Sequence, residues 1–266
     1  MIKLLFLGDI VGKSGRQAVE KHLPELREKY NPNLVIVNAE NAARGMGITK
    51  KICNTLYSAG VDCITTGNHI WDNKDIIKYI NDDHRLLRPN NYPNTLPGKG
   101  TVLLETVANK KVLIVNLMGQ IFMSPQLDSP VTNMEKILQR YVLGKNVDAI
   151  FVDFHAETTS EKQSFANYFD GKISAMIGTH THTPTADERI LPKGTGMQTD
   201  TGMCGDYKSI IGMKLEAPLE RLSKKYATKY LETADGPGTL AGTYLEISPD
   251  TNLTKKIDRI LFGEKL

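Results

Sequence analysis

The sequence predicts an α/β fold with mixed strands, in one domain spanning residues 1–266. Three observations carry this reading. Strand, loop and helix follow one another three times before residue 81, an order that calls for parallel strands joined by right-handed helical crossovers. The first apolar run is nearly unbroken, as in strands covered on both faces. Several runs also end abruptly in carboxylate, amide or imidazole side chains, and open α/β sheets gather ligands at the carboxyl ends of their strands.

The elements follow in order. Residues 2–7 form a strand that stops at Gly8-Asp9. A loop over 10–15 precedes a helix from Arg16 to Tyr30, which Asn31-Pro32-Asn33 ends. Gly12-Lys13-Ser14 invites a phosphate-loop reading, but that pattern needs a glycine where Leu7 stands, so it is rejected. Strand 34–37 runs into Asn38-Ala39-Glu40-Asn41. Thr49 caps a helix reaching Ala59. Strand 61–66 ends in Gly67-Asn68-His69, and a helix follows to Ile80.

The stretch from Arg88 to Gly100 holds three prolines and two glycines and is irregular. Residues 101–107 and 111–117 pair as a hairpin. A loop to Pro130 leads to a helix over 133–143, then strand 149–154, His155 and a helix over 160–169. The run Ile173–Ile177 ends at Gly178-Thr179-His180-Thr181-His182. Beyond Pro184 the pattern is glycine-rich and β-like, with one helix over 217–226 whose Arg221, Lys224 and Lys225 read as a solvated face. Residues 239–247 and 253–262 close the chain as a strand pair.

Composition sets limits. Hydrophobic content of 40% and charged content of 24% are ordinary for a globular protein, so a core needs no staples. A net charge of +3 gives no basic footprint for duplex DNA. Cys53, Cys63 and Cys204 form no C-x-x-C pair, and no run approaches the ~20 apolar residues of a spanning helix. The expectation is a cytoplasmic protein, not held in a membrane; whether it is a homo-oligomer is left open.

The strand ends deliver Asp9, Glu40 with Asn41, Asn68 with His69, His155, and His180 with His182. On an extended backbone residues i and i+2 point to one side, so His180 and His182 are expected to reach one cluster together. Carboxylate, amide oxygen and imidazole without cysteine suit manganese, iron or zinc. The donors exceed one ion's needs, which favours two metals sharing a carboxylate. His22 and His84 are left as surface residues.

In order and spacing, Gly8-Asp9, Asn38-Ala39-Glu40-Asn41, Gly67-Asn68-His69, His155 and Gly178-Thr179-His180-Thr181-His182 resemble the motifs of calcineurin-like metallophosphoesterases. Two departures stand out. Val11 replaces the histidine of the usual D-x-H, and Glu40 replaces the usual bridging aspartate. With Gly67-Asn68-His69-Ile70-Trp71-Asp72 and Thr199-Asp200-Thr201-Gly202-Met203, the chain looks like the bacterial YmdB-like subfamily. That resemblance implies a four-layer αββα sandwich with the metal site at the carboxyl ends of the strands. It implies two transition-metal ions, iron first, with manganese or zinc as alternatives. It also implies action on a small phosphodiester, a 2',3'-cyclic nucleotide or an RNA end.

On this footing Asp9, Glu40, Asn41 and His182 are assigned to one metal, and Asn68, His155 and His180 to the other, with Glu40 between them. A water acidified between two ions attacks phosphorus. His69 is the expected general acid, oriented by Asp72, and Arg44 is a candidate phosphate contact. A phosphomonoesterase or phosphoprotein phosphatase, and a metal-binding regulator of RNA turnover, stand as alternatives.

Overall fold

The computed structural model describes residues 1–226 and 228–264. The first half runs β1 (Ile2–Leu7), β2 (Asp9–Ile10), α1 (Gly12–Tyr30), β3 (Leu34–Asn38), α2 (Lys50–Ser58), β4 (Cys63–Thr65) and α3 (Asp75–Tyr79). The middle runs β5 (Thr101–Glu105), β6 (Lys111–Met118), α4 (Pro130–Arg140), β7 (Ala149–His155), α5 (Thr159–Tyr168) and β8 (Ala175–Thr179). The last part holds β9 (Arg189–Ile190), β10 (Gly196–Gln198), β11 (Met203–Cys204), α6 (Glu216–Lys224), β12 (Thr239–Ile247) and β13 (Thr254–Gly263).

Two sheets carry the architecture, ordered β13-β12-β1-β3-β4 and β5-β6-β7-β8-β10-β9, with a small β11-β2 ladder beside them. Both sheets are mixed. β1, β3 and β4 are parallel and β12 joins β1 antiparallel. In the second sheet β6, β7, β8 and β10 are parallel, with β5 and β9 antiparallel at the edges.

The period-two alternation of strands decides which side chain enters which layer. Leu5 and Leu7 of β1 and Val35 and Val37 of β3 pack with α1 and α2 residues such as Val19, Leu23, Cys53 and Leu56. Leu4, Phe6, Leu34 and Ile36 face the other way and meet Val112, Ile114, Phe151 and Ile177 of the second sheet. Phe6 and Phe151 touch across this middle layer with ring centroids 5.0 Å apart. On the far side Leu113, Val115, Ile150 and Val152 pack against Met134, Ile137, Phe165 and Phe169 of the α4 and α5 region. The layers are therefore α, β, β, α. Among the described residues no helix is long and apolar enough to cross a membrane.

Element boundaries moved for identifiable reasons. α1 begins at Gly12 rather than Arg16, so Gly12-Lys13-Ser14 is its first turn. No side chain caps it; the amide of Gly12 instead donates to the carbonyl of Asn41 at 3.0 Å. α4 starts at Pro130, because Ser129 accepts from the Thr132 amide and proline fits the first helical position. The third parallel strand is only Cys63–Thr65, and α3 is a short Asp75–Tyr79.

Candidate metal centre

The site forms where the carboxyl ends of β1, β3, β4, β7 and β8 meet at one edge of the sandwich. Asp9 follows β1 in the short β2, Glu40 and Asn41 follow β3, Asn68 and His69 follow β4, His155 ends β7, and His180 follows β8. Asp9, Glu40, Asn41 and His155 are buried at 0–3% exposure, so the floor is closed to solvent. Gly67 is required by space: a Cβ there would lie 2.2 Å from the His155 ring and 2.5 Å from the Glu40 carboxylate.

The inner nitrogen of His155, Nε2, has three close neighbours. Glu40 Oε1 lies at 3.0 Å, Asn68 Oδ1 at 3.0 Å and His180 Nδ1 at 3.1 Å. One N–H can serve only one of them. Glu40, His155 and His180 each offer a ligand atom within 4.8 Å of the others. A similar meeting lies beside it. Asn41 Oδ1 faces His182 Nε2 at 3.3 Å, while the Asn41 amide group donates to the carbonyl of Gly45 at 2.8 Å. Asp9 Oδ2 accepts from the His180 amide at 3.1 Å, and Asp9 Oδ1 is buried with no hydrogen-bond partner among the described residues. Lone pairs facing lone pairs in a dry pocket are unfavourable without a cation between them. An oxygen- and nitrogen-rich donor set with an orphaned carboxylate oxygen therefore fits metal ions.

Each of the three imidazoles has its other nitrogen engaged. His155 Nδ1 donates to Thr179 Oγ1 at 2.9 Å. Thr179 in turn donates to Asp153 Oδ1 at 2.7 Å, and Asp153 Oδ2 accepts from Asn38 at 3.0 Å and from Thr65 at 2.5 Å. His182 Nδ1 donates to the carbonyl of Ile211 at 2.8 Å. His180 Nε2 lies 3.2 Å from Glu157 Oε2. Occupying one nitrogen with an acceptor fixes the tautomer that leaves the other free to ligate.

Without a cation, a proton on His155 takes its place on the floor. Burial works against a charged His155, but Glu40, Asp9 and Asp153 outweigh it and lift its pKa to about 9. Burial also opposes charge on Glu40, yet His155 and the bonds from His155 and His69 hold it down at about 2. Burial, then the charge of His155, lowers His180 to about 3, so His180 stays neutral. Burial raises Asp153 to about 7 despite His155 and the two threonine hydroxyls. Burial raises Asp9 as well, against the pull of His182 and His155.

His180 and His182 are not on an extended backbone: β8 ends at Thr179, and both residues have positive φ, 105° and 64°. The turn sends His180 toward His155 and His182 toward Asn41. A buried ion pair fixes that turn. Asp200 Oδ2 accepts from Lys162 Nζ at 2.8 Å and from the Thr181 amide at 3.0 Å, and Asp200 Oδ1 accepts from the Gly202 amide at 2.9 Å.

A cleft of about 290 Å³ opens over the floor, lined by Glu40, Asn41, Met46, His69, Glu157, His180, Thr181, His182, Ile211 and Met213 among others. His69 reaches it from the rim. Its amide donates to Glu40 Oε2 at 2.9 Å and its Nδ1 to Asp72 Oδ2 at 2.7 Å. Arg44 is exposed and is not among the lining residues, whereas its neighbours Gly45 and Met46 are. His22 is half-buried against Phe262 and His84 is exposed; both lie outside the centre.

A family model described as YmdB-like protein matches residues 5–260. The chain belongs to the YmdB-like family. It is 43% identical to the 2',3'-cyclic-nucleotide 2'-phosphodiesterase of Bacillus subtilis, over 99% of this chain and 98% of that protein. A crystal structure of a novel phosphatase from Mycoplasma pneumoniae superposes with a TM-score of 0.91 at 36% identity, covering 98% of this chain and 93% of that one. The crystal structure of a hypothetical protein from Thermus thermophilus gives a TM-score of 0.90 at 40% identity, covering 99% of this chain and 100% of that one.

Within this YmdB-like fold, sequence reasoning missed Glu157, Asp153, Thr179 and the Lys162–Asp200 pair. Glu157 had a signal, since it stands two residues past His155 at a strand end. Thr179 and Asp200 stand inside the motifs quoted above, though nothing local gives their partners; Asp153 and Lys162 have no signal, being ordinary polar residues within a strand and a helix.

Proposed function

We propose that residues 1–266 act as a single metallophosphoesterase domain, a metal-dependent phosphodiesterase whose substrates are 2',3'-cyclic nucleotides. The observation that carries this reading is the convergence of Glu40, Asn68, His155 and His180 on one point, beside a second meeting of Asn41 and His182, under an open cleft. Asp9, Glu40, Asn41 and His182 would hold one ion, and Asn68, His155 and His180 the other, with Glu40 shared. Bound there, two transition-metal ions supply Lewis acidity and neutralise charge at a phosphoryl group. Iron is the first choice, with manganese or zinc as alternatives.

The chain's own residues do the rest. Glu40, held ionised, balances positive charge on the floor. His69 gives a proton to the leaving oxygen. Asp72 takes up its Nδ1–H and so leaves Nε2 as the nitrogen available to substrate. The floor beneath the substrate is closed to solvent, which strengthens the charge interactions among Asp9, Glu40 and His155. The setting is the cytoplasm, in keeping with three free, buried cysteines.

The test is elemental analysis of anaerobically purified protein, followed by turnover of bis-p-nitrophenyl phosphate against p-nitrophenyl phosphate and of 2',3'-cyclic AMP against 3',5'-cyclic AMP. Two ions per chain, diester over monoester and 2',3' over 3',5' are expected. Faster monoester turnover would favour the phosphatase alternative, and metal without turnover the regulator.

A further inference from the structure

Three apolar side chains line the cleft and take no part in the chemistry above: Met46, Ile211 and Met213. Met46 is 44% exposed and Ile211 54% exposed. Ile211 has φ 46°, in the left-handed region that a β-branched residue rarely adopts. Such strain persists only where the surroundings over-determine it, and it clusters at functional sites. Here the surroundings do so. Ile210 and Met213 exchange two backbone hydrogen bonds of 2.9 Å, Gly212 donates to Ser209 Oγ at 2.9 Å, and the Ile211 carbonyl accepts from His182.

Val11 makes the approach of this turn fit. A Cβ on Gly212 would lie 2.6 Å from Val11 Cγ1, so the turn sits directly on the side chain that replaces a histidine of the wider superfamily. Met213 extends the same surface. Its Cε lies 2.9 Å from where a Cβ on Gly45 would stand, which sets its methyl group against the backbone that leads into Met46, and both methionines line the same cleft. The result is an apolar shelf that shares the cleft with His69, Glu157 and Thr181 and begins at the His182 contact.

We propose that Met46, Ile211 and Met213 form the subsite for the nucleobase of a nucleoside phosphodiester. The proposal rests on the phosphodiesterase reading and says where the rest of the substrate lies. Thioethers make favourable contacts with aromatic rings, and unbranched methionines adapt to rings of different size. The three side chains offer no strong hydrogen-bond donor or acceptor. They therefore read the face of a base and not its edge, and purine and pyrimidine substrates are accepted with similar KM.

The experiment compares 2',3'-cyclic AMP with glycerol 1,2-cyclic phosphate, which keeps the five-membered cyclic diester and lacks the base. In the wild-type protein the baseless ester is expected to show a KM at least about tenfold higher, in line with the ~10–200-fold that small apolar groups confer in a pocket. Met46→Ala/Met213→Ala raises KM for 2',3'-cyclic AMP about tenfold with kcat kept, the mark of lost uniform binding. KM for the glycerol ester stays within about twofold, because it never reached the shelf. Equal wild-type KM values for the two esters, or equal losses on both in the double variant, overturn the subsite. Hydrolysis of bis-p-nitrophenyl phosphate but of neither cyclic ester rejects the cyclic-nucleotide reading, and no diester turnover at all rejects the phosphodiesterase reading. Either result removes the shelf's role with it.

Discussion

The two sheets bring different donors to one edge. The sheet of β1, β3 and β4 delivers oxygens: Asp9, Glu40, Asn41 and Asn68. The sheet of β7 and β8 delivers nitrogens: His155 and, from the turn after β8, His180 and His182. Their supports differ as well. Backbone and tight turns hold the oxygen side, as where the Glu40 carboxylate accepts the amide of His69 and the Asn41 amide group donates to Gly45. On the nitrogen side an acceptor engages each ring: Thr179 for His155, Glu157 for His180, the Ile211 carbonyl for His182. The difference follows from the chemistry of the donors. A carboxylate needs only to be aimed, because both of its oxygens accept. A neutral imidazole must also have its one proton placed on the nitrogen that faces away from the ion.

The largest effects should come from the shared oxygen donor. Glu40→Gln removes the negative charge that sits between the two proposed ions. Turnover should fall to background and metal content should drop, whereas Asn41→Ala, which removes one neutral contact, should lose less of both. Elemental analysis and diester turnover of the two variants read this directly, and equal mild losses would deny Glu40 its bridging place. On the nitrogen side His180→Ala should also lose metal and activity together.

His69 tests the comparison from outside it, since it stands on the oxygen side without being assigned as a donor. His69→Ala should retain the metals and lose ~10²–10⁴ in turnover, the usual weight of a general acid. The loss should shrink for a p-nitrophenyl ester, whose leaving group needs little protonation. A variant that loses its metals would make His69 a ligand, and one with full turnover would make it a bystander.

Much of this centre was legible from sequence because it is local. Gly67-Asn68-His69, Glu40-Asn41 and His155 stand directly where apolar runs stop, and parallel topology carries all strand ends to one edge. Long-range features were hidden. Asp153 reads as a polar residue in the middle of β7; it becomes the base of a relay only when β3 and β4 of the opposite sheet set Asn38 and Thr65 against it. Lys162 on α5 meets Asp200 38 residues away, and no local pattern announces the pair. The i, i+2 spacing of His180 and His182 predicts an extended strand, but both residues have positive φ and form a turn that Asp200 holds. Arg44 stands out by charge within a glycine loop; it is exposed, and its neighbours Gly45 and Met46 line the cleft.

The smallest effects should come from the tautomer relays, and their ranking should follow burial. Thr179 is 0% exposed and sits between His155 Nδ1 and Asp153. Thr179→Val keeps the shape and deletes the hydroxyl, so the His155 N–H and an Asp153 oxygen lose their partner. Leaving a buried donor unsatisfied costs about 1–3 kcal/mol, readable as a lower Tm. With the proton no longer directed to Nδ1, metal affinity should weaken about 10–100-fold, while turnover at saturating metal is largely kept. Two further readouts separate placement of the proton from packing. The ¹⁵N shifts of His155 in metal-free protein, recorded above its pKa of about 9 where the ring is neutral, should show a changed tautomer balance in Thr179→Val, and Thr179→Ser should restore both the shifts and the metal affinity. Glu157→Gln should be milder, a few-fold at most in affinity, because the Glu157 side chain is 48% exposed and water can take its place beside His180 Nε2. If Thr179→Val bound metal as tightly as wild type, or if Glu157→Gln were the more damaging change, the nitrogen side would owe its order to packing alone, and the contrast between the two sheets would fail.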